Sequence, residues 1–323
     1  MNRWTKTDRE GWEAWTRETS ALAVTIVPAL GSKIVSLTNK ATGREWLWSS
    51  GKPLGNRGYG SPFGEGDGSG WDEMFPGINT CVYPDGPWQG LEVPDHGEVW
   101  SLPWRVELVG DESLKCSVEG RRFPYALDKS VSFAADDTLR IDYTVTNLSD
   151  SPFSFLWAAH PLLKVEEGMA LRVPGGLGTI EMTYSAEERL GGFGARHAWP
   201  IAEPDASSGA PEGERDGPID LSRVEPNAGR YAEKYYFADK LTEGWAELLD
   251  PASGEAVTFR FPVERVPYLA VWANYGGFGG HYHVAIEPAT GAMDDLAYAM
   301  NERRAAVVAP REQYRWHLEI SVR

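Results

Sequence analysis

A chain of 323 residues with 42% hydrophobic and 24% charged residues can bury a large core, which separates it from disordered chains. Its 47 acidic against 31 basic residues leave a formal charge of -16 with no basic cluster, so a nucleic-acid backbone or an anionic membrane would be repelled. No stretch approaches membrane-spanning length and the N-terminus, MNRWTKTDREGWEAWTRETS, lacks the apolar segment of a secretory signal, so a cytoplasmic protein is expected.

The two cysteines, Cys81 and Cys116, have neither metal-type nor redox-type spacing and read as buried thiols. The 14 Trp, 13 Tyr and 11 Phe are more informative. Many must fill the core, but an indole face is also a flat apolar platform for sugar C–H groups, which makes carbohydrate a reasonable small ligand.

In chain order, residues 22–27, 33–37 and 45–48 alternate as a meander of strands, with Asn39, Thr42 and Gly43 supplying turn chemistry. Residues 49–70 are dense in Gly, Pro and polar residues and predict a long surface loop of the functional kind. It ends in GSGWDEMFPGIN, where Asp72 and Glu73 stand between Trp71 and Phe75, either as acceptors for sugar hydroxyls or as solvated acids of a capped turn. In the next segment, PDHGEVWSLPWRVEL, Asp95 and His96 precede Gly97, whose missing side chain lets a ligand or another backbone come close.

Residues 114–118, 126–133 and 139–146 predict three strands of clear alternation, with Asp136 and Asp137 at a turn. FSFLWAAHPLLKV, residues 153–165, is almost continuously apolar, so His160 needs a partner there as a satisfied core group or as a site residue. Residues 200–227 shift to Pro, Gly, Ala, Ser and acids and read as an exposed insertion within one domain, with His197 solvated at its edge. Strands follow over 245–248, 256–261, 268–272 and 314–322, and residues 293–302 predict a short helix with Asp294 and Asp295 favourable at its start.

The stretch 266–301 carries the candidate chemistry. Tyr268, Ala270 and Trp272 alternate before a glycine-rich turn over 276–280, and residues 283–287 alternate after it, so a hairpin places His283 and Glu287 on one face. Pro288 lacks a backbone donor and predicts the strand's end, with Glu287 at a rim. Many short strands and almost no amphipathic helix indicate an all-β fold, a large antiparallel sandwich spanning residues 1–323 as one domain.

Four segments, VPALGSKIVSL, DHGEVW, LRIDYTVTNLSDSPFSFLWAAHPLL and HVAIEPATGAMDDL, stand in an order and at intervals that resemble the aldose 1-epimerase, or galactose mutarotase-like, superfamily over nearly the whole chain. The resemblance implies a β-supersandwich and interconversion of the α and β anomers of a free hexose. It implies Glu287 as general base, His160 as general acid and His96 as a second donor near the ring oxygen, with no metal or other cofactor. Such chemistry removes the C1 hydroxyl proton while the ring oxygen gains one, so a carboxylate and an imidazole suffice. The galactose-specific branch has Asn before the first His and Tyr-Phe-Asn after the second, whereas Asp95 and Pro161 stand here, so the particular sugar stays open. Asp72, Asp95 and Trp272 are expected to hold the remaining sugar surface, and His283 to orient the Glu287 carboxylate.

Two other readings compete. His281, His283 and Glu287 have the His-x-His-x-x-x-Glu spacing of cupin-type metal sites, though the flanking glycines are misplaced and no fourth ligand is evident. A module that binds sugar without turning it over is the other. A phosphorylated sugar would want clustered arginines, and Arg57 is a lone candidate. The expected partner is a small sugar, with no nucleic acid and no membrane, and the protein a monomer or homodimer.

Overall fold

The computed structural model describes residues 3–56, 58–204 and 217–323; Arg57 and residues 205–216 of the expected insertion lie outside the described residues. Two antiparallel sheets dominate. The larger has eleven strands and runs from Thr5–Arg9 at one edge through Trp12–Glu18, Leu22–Val27, Lys33–Asn39 and Trp71–Met74. It continues through Ala158–Lys164, Tyr282–Ala289, Tyr268–Tyr275, Tyr231–Phe237 and Thr179–Ser185 to Arg196–Ala198. The smaller has eight strands, with Gln313–Val322, Thr138–Asn147 and Tyr125–Ala135 near its middle.

Strand alternation explains how the two sheets meet. In Thr138–Asn147 the side chains of Leu139, Ile141, Tyr143 and Val145 are buried while Asp142 is exposed, as the period of two requires. The smaller sheet meets the larger through Phe259, of strand Ala256–Arg260, on Trp71, and Tyr143 packs on Trp157 just before strand Ala158–Lys164, with ring centroids 5.7 and 4.8 Å apart. Each fully buried large apolar side chain contributes about 1.5–3 kcal/mol, which is what holds the layers together. The layered all-β architecture is the β-supersandwich expected from the sequence. Among the described residues no helix is long and apolar enough to cross a membrane.

Several local expectations are corrected. Residues 45–48 form isolated bridges and no strand, because the Glu45 side chain accepts from the backbone N–H of Leu37 and Leu47 and so replaces a ladder. Residues 71–74 are a buried strand and not the end of a loop. The N-terminal hairpin carries little strand signal in the sequence, because its outer strand, TKTDR, is exposed throughout and has no apolar face. Described parts of the expected insertion are not all exposed: Ile201–Ala202 pairs with Ile219–Asp220, and Ala202, Ile219, Leu221 and Val224 are buried in the main core. His197 is half-buried, with Nε2 2.8 Å from the Leu190 carbonyl. Cys116 is buried and Cys81 half-buried, and both thiols are free.

Pro288 does not end its strand, which runs on to Ala289 with strands on both sides. Its register with Ala158–Lys164 instead has a gap: Ala158 pairs with Ala289 and Leu162 with Ala285, with no backbone pairing between. Pro161 and Pro288, neither with an N–H to give, flank that gap. Glu287 therefore lies at the middle of the sheet, fully buried, and not at a rim.

Candidate active site

The sheet register brings distant residues into one place. His160 is paired with Asp72 on one side, and the gap between the prolines puts Glu287 on the other. One step along the same face, Lys234 pairs with Trp272, and Trp272 with Ala285. A carboxylate, an imidazole and an ammonium therefore share the centre of a sheet whose other face is core.

Their contacts are specific. Glu287 Oε1 is 2.9 Å from His160 Nδ1, and Glu287 Oε2 accepts from Lys234 Nζ. Lys234 Nζ also lies 3.8 Å from Asp294 Oδ1, and Asp294 accepts from Tyr236 Oη at 2.7 Å and Thr183 Oγ1 at 2.8 Å. His96 stands across from His160, with ring centroids 5.4 Å apart, and stacks on Phe63 at 4.0 Å and 5°. Its Nδ1 is 2.7 Å from Asp95 Oδ1, and Asp95 Oδ2 accepts from the Phe63 backbone N–H at 2.8 Å.

His96 has a left-handed backbone, φ 57°, which costs a non-glycine residue of order 1–3 kcal/mol. The turn is held by the following Gly97, where a Cβ would come within 2.1 Å of the Phe75 carbonyl oxygen. This is the close backbone approach expected of that glycine.

A cavity of about 460 Å³ opens over these groups, lined by Phe63, Asp95, His96, His160, Lys234, Trp272, His281, His283 and Asp294 among others. Trp272, with Tyr184 and Phe278 within 6 Å, makes an aromatic rim on which Phe278 is half exposed. The size suits a small organic ligand, and aromatic walls with a few convergent polar groups are what such sites are made of.

Burial pushes the Glu287 carboxyl up, but the Lys234 ammonium and His160 overcome it and hold the group at about 2, so it is ionised at neutral pH. Burial lowers His160 below the ordinary imidazole value, against the pull of Glu287, so it is mostly neutral there. An ionised carboxylate only accepts, which puts the single proton of neutral His160 on Nδ1 and leaves Nε2 as a lone pair. Burial also opposes the charge of Lys234, but Asp294 and Glu287 outweigh it and raise its pKa. Asp95 is pushed up by burial and brought below the usual carboxylate range by its bond to His96.

The sequence-predicted residues thus divide. Glu287, His160 and His96 converge, and Asp95 and Trp272 join them at the cavity. Asp95 spends both oxygens on His96 and Phe63, so it positions the imidazole instead of meeting a hydroxyl. Asp72 does not line the cavity: it is 1% exposed and paired with Lys33 at 3.1 Å, and burial pushes its carboxyl up to about 6 against that lysine's pull. His283 lies on the face of Glu287 but does not orient it, because four residues along a strand span about 13 Å. It lines the cavity with Nδ1 unpartnered, and burial puts its pKa well below the ordinary value.

Sequence reasoning missed Lys234, Asp294 and Phe63. The signal for Lys234 was a lone cation inside YAEKYYF, a strand buried over nearly its whole length. Asp294 was expected to assist a helix start, but that helix is Leu296–Asn301, capped by Asp295, while Asp294 turns inward at φ 57°. The cupin-like metal set is not assembled, since both oxygens of Glu287 are held by His160 and Lys234. Among the described residues no group of three His, Cys, Asp or Glu side chains is arranged to hold a metal ion.

Comparison with solved structures gives matches over almost the whole length. A galactose mutarotase-like protein from Lactobacillus casei ATCC 334 is 19% identical with a TM-score of 0.66, covering 96% of this chain and 100% of that one. The galactose mutarotase related enzyme from Lactobacillus acidophilus is 16% identical at 0.66, covering 96% and 97%. The Slr1438 protein from Synechocystis sp. PCC 6803 is 17% identical at 0.65, covering 100% and 96%. At these identities the likeness is one of fold. Comparison with curated proteins finds no match. A family described as a domain of unknown function matches residues 194–322, which hold Lys234, Trp272 and Glu287. The aldose 1-epimerase family matches residues 14–185, more than half of the sequence and the part holding His96 and His160, and the chain belongs to that family.

Proposed function

We propose that the protein is an aldose 1-epimerase that interconverts the α and β anomers of a free aldose in this cavity. The observation that carries the reading is the fully buried Glu287 carboxyl gripped by two groups, His160 and Lys234, that both line the cavity.

The Glu287–His160 pair acts as the base. Neutral His160 gives Nδ1–H to Glu287, its Nε2 takes the C1 hydroxyl proton, and the imidazolium so formed sits against a carboxylate already in place. As the C1–O5 bond breaks, the ring oxygen gains a proton from another group of the cavity wall. The open-chain aldehyde turns about C1–C2 and closes on its other face. In this scheme the expected roles shift: the imidazole is the atom-to-atom base, and Glu287 sets its tautomer and balances its charge. His96, held by Asp95 and Phe63, supports the ring from the opposite side, and Trp272 offers it an apolar face.

Polarimetry on freshly dissolved α-glucose and α-galactose tests the proposal. Anomer exchange faster than in buffer, and proportional to protein, is expected for at least one neutral aldose. Binding of these sugars with exchange no faster than in buffer would leave the site a sugar-binding module.

A further inference from the structure

We infer that Lys234 is the proton donor to the ring oxygen, a catalytic residue of the reaction proposed above; the inference rests on that reading. The argument starts from the substrate's geometry. In a cyclic aldose, the hydroxyl that loses a proton and the ring oxygen that gains one are both bonded to C1. The base and the acid must therefore stand close together, on one side of a single carbon.

The site has that layout. His160 and Lys234 occupy the two oxygens of one carboxylate, Oε1 and Oε2 of Glu287, so one planar group sets their separation. Both line the cavity and Glu287 has no exposed surface, so the substrate meets the imidazole and the ammonium side by side. Lys234 has three N–H donors. One goes to Glu287, a second is directed by the more distant Asp294, and one is left for a ligand.

The other cavity groups fit the role less well. His96 has Nδ1 on Asp95 and belongs to a different wall, stacked on Phe63. Neutral His160 has its only proton turned to Glu287. Asp294 already accepts two hydroxyl bonds, from Tyr236 and Thr183.

The step balances. The C1 O–H bond breaks and its proton goes to His160 Nε2; the electron pair left on that oxygen becomes the second bond of the aldehyde carbonyl. The C1–O5 bond breaks, its pair stays on O5, and O5 takes a proton from Lys234 Nζ. Lys234 is then a neutral amine and His160 an imidazolium, both still on Glu287, so the carboxylate keeps one cationic neighbour throughout. Ring closure on the other face reverses each transfer, and nothing further is consumed.

Lys234→Arg separates this role from simple charge balance. A guanidinium keeps the positive charge and can hold Glu287, but it does not give up a proton in a protein. K234R is expected to bind sugar and to exchange anomers about 10²–10⁴ times more slowly than wild type. A K234R rate equal to wild type would overturn the inference while leaving the epimerase reading intact; a wild type that never exceeds the buffer rate would defeat both. A second measurement covers the case in which the arginine does not fit. Lys234→Ala should regain rate on addition of methylammonium, which carries a transferable proton, and not of guanidinium, which carries only charge. Equal recovery with the two cations, or recovery with neither, would count against proton donation by Lys234.

Discussion

Replacing Glu287 by Gln keeps the shape of the side chain, exchanging one carboxylate oxygen for NH₂, and removes the charge on which the site is built. Whichever way the amide is turned, its NH₂ meets a donor: if it faces Lys234, two donors oppose each other in a buried place. If it faces His160, the ring must accept at Nδ1, which moves its proton to Nε2 and replaces the lone pair facing the substrate by an N–H. The first leaves the imidazolium without its countercharge and the second removes the lone pair, so kcat should fall about 10²–10⁴-fold. Stability should fall as well. The shift of the carboxyl from 4.5 to about 2 corresponds to about 3 kcal/mol, in keeping with about 3–5 kcal/mol for breaking a buried ion pair from one side. Polarimetry of anomer exchange, with urea unfolding on the same samples, measures both effects. Equal exchange rates in the two proteins would remove the Glu287–His160 pair from the mechanism.

Three further outcomes follow from the same structure. Because burial lowers His160 and the base must be unprotonated, kcat/KM should hold as pH falls through 6.5 and drop only at more acid pH; an acid limb centred at or above 6.5 in the pH profile would contradict this. Glu287, whose folded pKa is depressed, lends stability that is complete above its unfolded value of 4.5 and lost as pH falls toward about 2, so acid unfolding of the wild type should be steeper in that window than that of Glu287→Gln. Gly97→Ala should cost about 3 kcal/mol or more in thermal or urea unfolding, since it adds a Cβ 2.1 Å from the Phe75 carbonyl oxygen at φ 74°; wild-type stability would show that the turn can relax.

The fold was legible because strand period and turn residues agree along most of the chain. Where they failed, a side chain had replaced a backbone partner, as Glu45 does, or a polar edge strand had no face to bury, as in TKTDR. The candidate site was legible in its imidazoles and in Glu287, because the segments around them resemble a known family. The alternation of residues 283–287 put His283 and Glu287 on one face correctly, but a shared face is not a contact. Asp72 was misjudged for a similar reason: its neighbours Trp71 and Phe75 are aromatic, yet Lys33, far off in the chain, claims the carboxylate. Lys234 left a trace in the cost of burying an ammonium among tyrosines, but its acidic partners arrive from two later segments and only folding brings them in.

His160, Lys234 and Glu287 are borne by strands inside the large sheet, whereas Phe63, Asp95, His96, Phe278 and His281 come from the connections around it. Under the proposed function, reaction and recognition, Trp272 apart, thereby fall to parts of the chain that can diverge separately. Connections tolerate insertion and exchange, while a slip of one residue in an interior strand would turn its reactive group into the hydrophobic layer. Variants with a new choice of sugar should therefore be sought among rim loops, transplanted as whole segments onto an unaltered floor.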